Sequence, residues 1–223
     1  MITAFEKWQS TRQPSPLKPD EVHLWRARLE STPKLRETLS PAEWIRAERY
    51  HLERDRERFI AGRGLLRTIL ATYLKLDPRE LSFSTGAHGK PELDNVCSPL
   101  RFNLSHSDDL MLLAVTHSRE IGVDLEAVRN DMPFEMLADH YFDPEDAWDL
   151  RLLPVSQRAW KFYDVWTCTE ARLKASGAGL ANGLKVLEPD RWSLLKFNPA
   201  EGYTGAVAVA GGDFQLECWS WRN

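Results

Sequence analysis

The sequence predicts an α+β fold built as a duplicated pair of α/β halves. Three observations lead there. A strand, helices and a group of strands follow one another over residues 1–118, and the same order returns over residues 119–223. Few layer arrangements accommodate such an order. At 223 residues the chain suits one large domain or two of about 100 residues each. Apolar residues make up 43% and charged residues 28%, a globular composition and not a disordered one. The halves meet near residues 117–121 and form one two-lobed unit. The repeat lies in element order, not in residue identity.

Residues 10–19 hold three prolines and few apolar groups, so an irregular lead-in is expected. Val22 to Leu29 alternates apolar and polar side chains, as a half-buried strand does. Ser40, Pro41 and Glu43 supply an N-cap, a first-turn proline and a capping-box acid. The helix they open runs through Tyr50. Helical spacing resumes over Phe59, Leu65, Leu66, Ile69, Leu70, Tyr73 and Leu74, and Asp77-Pro78 stops it. Leu81 to Phe83 reads as a short strand and Ser84 to Pro91 as a loop. Arg101–Leu104 and Leu110–Thr116 read as strands joined by a turn over Ser105–Asp109. Ile121–Glu126 is a further strand. In the second half Asp143 caps a helix, a longer helix spans about residues 156–176, and strands follow near 191–197, 203–210 and 214–219.

The formal net charge is −4 and the isoelectric point about 5.9. No bulk positive field draws the chain to nucleic acid. Residues 40–75 nevertheless hold eight Arg or Lys against five Asp or Glu. This excess fits a phosphate ligand or an acidic partner, and equally a solvated helix laced with ion pairs. Cys97, Cys168 and Cys218 are far apart, with no C-x-x-C, so neither zinc nor a disulfide framework is indicated. A reducing, cytoplasmic setting fits this usage. The first residues lack a signal-peptide layout, and no segment approaches the roughly 20 apolar residues of a membrane span.

Four short motifs carry chemistry. Asp124 and Glu126 end an apolar strand at i and i+2, on one face and about 7 Å apart along the chain. Their like charges call for a cation, and Mg²⁺ takes one or two carboxylates plus phosphate oxygens. Alone, such a pair is also an ordinary strand end in water. Glu170 and Lys174 share one helical face. Taken alone they are a surface ion pair. Beside Asp124 and Glu126 they offer a third carboxylate and a point charge for phosphate. Gly177 and Gly179 suit a left-handed helix end and close ligand approach. Ser105 and His106 are a poor nucleophile and base pair, since strand neighbours face opposite ways; in a turn they could bind an anion. Gly89, Lys90 and Pro91 form a loop that holds its lysine in place, or simply a turn.

The order of these motifs is more specific than any one of them. G-K-P, F-N-x-S-H-S, I-G-V-D-x-E and W-T-x-x-E-A-x-x-K-A-x-G-x-G-L follow one another in this chain. Over about Ser40 to Leu180 it resembles the 4′-phosphopantetheinyl transferase superfamily, Sfp type, including the run from Ser40 to Arg67. The resemblance implies a pseudo-twofold fold with the active site between its halves. It implies transfer of the phosphopantetheine arm of coenzyme A to a serine of an apo carrier protein, with adenosine 3′,5′-bisphosphate as the other product. Fatty acid, polyketide and peptide carriers all qualify as partners.

By the same resemblance Asp124, Glu126 and Glu170 hold Mg²⁺ against the pyrophosphate, and Glu170 accepts the serine proton directly or through water. Lys174 binds the pyrophosphate. Arg46, Arg58 and His106 surround the 3′-phosphate, Ser105 contacts the same end, and Lys90 with Pro91 lies beside the adenine and phosphates. Arg63 and Arg67 are weaker candidates, and Trp166 belongs to the core. Two departures stand out. Many relatives carry lysine directly before the helix glutamate, where this chain has Thr169. Some have lysine where it has Glu43, which implies modestly weaker 3′-phosphate binding. A single chain contains both halves, so a monomer is expected. Two other readings stay in view. One is a different Mg²⁺-dependent phosphotransferase, against which no P-loop or kinase motif set is present. The other is a quiet module that binds carrier proteins or coenzyme A without transfer.

Overall fold

The computed structural model describes residues 7–86, 89–94, 98–178 and 189–222. Strands β1 (Gln9–Thr11) and β2 (Glu21–Arg28) come first, then helices α1 (Pro33–Arg36), α2 (Pro41–Ala47) and α3 (Glu53–Leu74). The short hairpin β3 (Phe83–Thr85) and β4 (Pro91–Leu93) precedes β5 (Leu100–Ser107) and β6 (Leu110–His117). The second half opens with β7 (Ile121–Ala127), followed by α4 (Phe134–Tyr141), α5 (Pro144–Leu152) and α6 (Val155–Ser176). Strands β8 (Trp192–Phe197), β9 (Tyr203–Ala210) and β10 (Gln215–Trp221) complete the order.

The duplication shows in the topology. In the first half β6 lies between β2 and β5, antiparallel to both. In the second half β9 lies between β7 and β8, again antiparallel to both. The last strand, β10, returns to the first sheet and pairs parallel with β2, and β1 pairs parallel with β10.

Strand alternation dictates the layering. On β6, Met111, Leu113 and Val115 pack with the apolar face of α3, where Leu65, Leu66, Ile69 and Leu70 are fully buried. The intervening Leu110, Leu112 and Ala114 face the second sheet and meet Ile121, Val123 and Leu125 of β7 and Val207 and Val209 of β9. The outer face of β9, Ala206 and Ala208, packs on Cys168, Ala171 and Ala175 of α6. The order is therefore helix, sheet, sheet, helix, and both sheets are covered on both faces.

That layering corrects the half-buried reading of β2. His23 is fully buried, because α3 covers one face of the strand and the second sheet the other. The lead-in contains a short strand, β1, that sequence reading leaves irregular. Helix α2 ends at Ala47 and not at Tyr50, while its Ser40–Glu43 capping box forms as expected. Helix α3 stops on Lys75 at φ 55°, ahead of Asp77-Pro78. The strand expected over 81–83 is shifted to Phe83–Thr85, so that it shares only Phe83 with the expected span and runs on into the expected loop. Asp143 holds the N-cap position of α5, but its side chain makes no capping hydrogen bond. Helices α1 and α4 are not foreseen from sequence.

Candidate active site

The edge of the first sheet, β5, runs beside the edge of the second, β7. Side chains of β5 link the two sheets, which share no strand pairing among the described residues. Asn103 Oδ1 accepts from the Val123 N–H at 2.8 Å, and Ser107 Oγ accepts from the Ala127 N–H at 3.0 Å. Asn103, Ser105 and Ser107 are alternate residues on one face of a strand. This corrects the expected turn over Ser105–Asp109. Ser105, His106 and Ser107 all belong to β5 and pair with β6, and only Asp108 and Asp109 make the turn.

Helix α6 approaches β7 until their backbones touch. A Cβ built on Gly122 would stand 2.0 Å from Ala171 O and 2.4 Å from Ala175 N. The glycine in I-G-V-D is thus what lets α6 deliver Glu170 and Lys174 to β7. Gly177 ends the helix at φ 72°, the left-handed position foreseen from sequence. Gly179 lies outside the described residues.

At this junction Lys174 Nζ donates to Asp124 Oδ1 at 2.6 Å and to Ser105 Oγ at 3.0 Å. Ser105 donates to the same carboxylate oxygen at 2.9 Å. Asp124 is buried, and its Oδ2 has no hydrogen-bond partner among the described residues. Glu126 Oε2 accepts from Ser107 Oγ at 3.0 Å. Burial first and the Asp124 charge second raise the Glu126 pKa, against the Ser107 hydrogen bond and the Lys174 charge. Burial and then Asp124 likewise raise the Glu170 pKa, and Lys174 opposes them. The structure therefore brings Asp124, Glu126, Glu170, Lys174 and Ser105 together. Among the described residues, however, no three such side chains stand close enough to form a metal-holding cluster. Lys174 lies against Asp124 instead.

The phosphate-site candidates separate into two groups. His106 points to the α3 side of β5, opposite Ser105. Solvent reaches its ring, yet desolvation is the first cause of its lowered pKa, followed by the charges of Lys174 and Arg58. Arg58 donates to Asp109 Oδ1 through Nε at 2.8 Å and Nη2 at 2.6 Å. Arg46 is exposed, and its guanidinium lies 5.2 Å over the ring of Phe59, the residue after Arg58.

The second group is at the other end of β5 and β7. Lys90 Nζ donates to the carbonyls of Ile121 at 3.0 Å and Lys174 at 2.8 Å, and burial lowers its pKa. Lys90 and Pro91 line a cavity of about 410 Å³ with Leu100, Phe102, Ile121 and Ser176. Lys90 thus engages backbone across the two halves as well as edging a cavity.

Other candidates prove structural. Arg63 and Arg67 both pair with Glu43, at 2.7 Å through each Nε, and Arg67 is buried. Glu43 itself is engaged within the fold. It caps α2 and neutralises two arginines of α3. Thr169 donates to the Val165 carbonyl one turn back at 3.0 Å. Trp166 stacks on Phe162 at 5.9 Å in the helical core, as expected. The residue that sequence reading missed is Ser107. Its signal is the N-x-S-x-S alternation of β5, legible only once the segment is known to be a strand.

Two family models cover most of the chain. One described as "4′-phosphopantetheinyl transferase, N-terminal" matches residues 23–118, and one described as "4′-phosphopantetheinyl transferase superfamily" matches residues 120–213. The 4′-phosphopantetheinyl transferase HetI of Nostoc sp. (strain PCC 7120 / SAG 25.82 / UTEX 2576) is 42% identical over 218 residues, covering 90% of this chain and 92% of its own. The chain belongs to the 4′-phosphopantetheinyl transferase superfamily. The 4′-phosphopantetheinyl transferase Sfp of Bacillus subtilis (strain 168) is 27% identical over 193 residues, covering 79% of this chain and 84% of its own. Members of this family are transferases that use coenzyme A and act on carrier proteins.

Proposed function

We propose that the chain moves the phosphopantetheine arm of coenzyme A onto a serine of an apo acyl, peptidyl or polyketide carrier protein, with Mg²⁺ bound. The observation that carries this reading is the junction of β7 and α6. Asp124, Glu126 and Glu170 gather there around Lys174, in a chain of this family. The donor set fits a hard divalent cation. Asp124 Oδ2 is buried without a hydrogen-bond partner among the described residues, and after burial, the first cause, the Asp124 charge adds to the raised pKa of both glutamates. Asp124, Glu126 and Glu170 would hold the ion. Bound there, Mg²⁺ supplies neutralisation of the pyrophosphate oxygens.

The residues of the chain do the rest by binding and positioning. Lys174 binds the pyrophosphate and stabilises the leaving group. Arg58 and His106, with Arg46 nearby, take the 3′-phosphate, and Ser105 orients Asp124. Lys90 and Pro91, at the edge of their cavity, sit at the adenosine end. The carrier serine oxygen bonds to the phosphorus bearing the pantetheine arm. The bond from that phosphorus to the bridging pyrophosphate oxygen breaks, and adenosine 3′,5′-bisphosphate leaves. Glu170, whose raised pKa makes it a better proton acceptor, takes the serine proton directly or through water. Exposed Arg46 and Arg49 steer an acidic carrier. One chain supplies every residue named, which supports a monomer. Buried Cys168 and Cys218, with no helix among the described residues long and apolar enough to cross a membrane, support a cytoplasmic setting.

Intact-mass measurement of apo carriers incubated with the protein, coenzyme A and Mg²⁺ tests this. The expected result is a mass gain equal to the phosphopantetheine arm, lost with EDTA. Coenzyme A binding without any gain, on carriers of all three kinds, would replace the transferase with a binding module.

A further inference from the structure

We infer that Ser107 is a positioning residue for the transfer, fixing the Glu126 carboxylate beside Asp124. The inference rests on the reading of Glu126 as a metal ligand. Two hydrogen bonds carry it. The Ala127 N–H donates to Ser107 Oγ at 3.0 Å, and Ser107 Oγ donates to Glu126 Oε2 at 3.0 Å. The first occupies a lone pair of the hydroxyl, so its proton is directed to the carboxylate. The hydroxyl is thus held by the backbone of the residue that follows Glu126. It ties one carboxylate oxygen and leaves Oε1 without a hydrogen bond among the described residues.

The same arrangement recurs two residues earlier. Ser105 donates to Asp124 Oδ1 at 2.9 Å, and Asp124 Oδ2 has no partner among the described residues. Each carboxylate of D-x-E is therefore held by one serine of β5 through one oxygen. A two-residue repeat on one strand matches a two-residue repeat on the other. Asn103, on the same face, accepts from the Val123 N–H and holds the seam without touching a carboxylate. Ser107 does both.

The test compares Ser107→Ala, Ser107→Thr and Glu126→Gln. Two readouts are calorimetric titration of Mg²⁺ into the protein with saturating coenzyme A and no carrier, and the Mg²⁺ concentration giving half-maximal transfer. Thermal unfolding runs alongside. Loss of a group that orients a ligand weakens metal binding by about 10-fold or more. Ser107→Ala should raise both Mg²⁺ constants by about 10-fold, with the KM for carrier unchanged. Ser107→Thr keeps the hydroxyl and should restore them. If Ser107→Ala does not fold, Ser107→Cys, similar in shape with a weaker donor, should give an intermediate loss. Unchanged Mg²⁺ constants in folded Ser107→Ala, with Glu126→Gln impaired, overturn the role of Ser107 and leave the metal site standing. Unchanged constants in Glu126→Gln overturn both.

Discussion

Lys174 Nζ stands 2.6 Å from Asp124 Oδ1, so the one buried carboxylate of the D-x-E pair is neutralised by a helix lysine from the other side of the junction. The lysine side chain keeps 30% of its surface and the aspartate 4%. Removing one partner of such a pair leaves a buried charge uncompensated. Lys174→Ala should lower unfolding stability by about 1–3 kcal/mol. Adding Mg²⁺ with coenzyme A should recover part of it. Urea unfolding with and without both ligands checks this. Stability unchanged in both states would show that the Asp124–Lys174 contact carries no weight.

Gly122 is the second point where the site depends on the fold. Any side chain there meets the Ala171 carbonyl at 2.0 Å and the Ala175 N–H group at 2.4 Å. Both atoms are backbone, so α6 as a whole must move. Gly122→Ala should cost about 1–3 kcal/mol or more in stability. Measured where the variant is still folded, kcat should drop by about 100-fold, because a shift of about 1 Å misplaces Glu170 and Lys174 against Asp124. A folded Gly122→Ala with ordinary kcat would mean that α6 has more freedom than this contact implies.

Arg58 is already paired. Its Nε and Nη2 both reach Asp109 Oδ1, and the aspartate side chain is 61% exposed. A pair this open adds little stability, but its acid competes with a phosphate for the same fork. Asp109→Asn should lower the KM for coenzyme A by about 2–5-fold, the equivalent of about 0.5–1 kcal/mol, without shifting the melting temperature. Arg58→Ala should raise that KM with kcat nearly constant, the pattern of lost ground-state binding. Steady-state kinetics on both variants decide it, and an unchanged KM in both removes Arg58 from phosphate binding.

What the sequence reveals follows from the range of each interaction. The i, i+2 spacing of Asp124 and Glu126 and the i, i+4 spacing of Glu170 and Lys174 are local, and the two pairs are joined through the contact of Lys174 with Asp124. The Ser40–Glu43 capping box is local too, and it forms. Its acid also holds Arg63 and Arg67 from α3, a contact between elements that no spacing announces. The parallel return of β10 to β2 has no local signal either. Ser105–Asp109 misleads for a different reason. Ser and Asp are turn-forming residues, but here Ser105 and Ser107 use their hydroxyls on β7 carboxylates, and pairing with β6 keeps Ser105–Ser107 extended.

The fully buried His23 gives the protein an acid-sensitive point away from the active site. Its Nδ1 meets the Tyr73 hydroxyl at 2.8 Å, and Nε2 lies 3.5 Å from Glu21 Oε2 without a hydrogen bond. Trp219 packs edge-on, and Lys18 pairs with Glu21. Burial drives the His23 pKa below 6.5, against the pull of Glu21 and with help from Lys18. In the unfolded chain the imidazole titrates near 6.5. Between that value and the lower folded one, the unfolded chain binds a proton that the folded chain does not. Stability is therefore complete at neutral pH and falls as pH drops through this window, by up to about 1.4 kcal/mol per pH unit. The lowered pKa of His106 acts in the same direction, so a variant must separate the two. His23→Phe should be less stable at neutral pH, having lost the Tyr73 contact, but should show a shallower acid slope. His106→Asn should leave the His23 share of the slope in place. Urea unfolding from neutral to about pH 5 measures these slopes, and a His23→Phe slope equal to that of the parent would assign the acid sensitivity elsewhere.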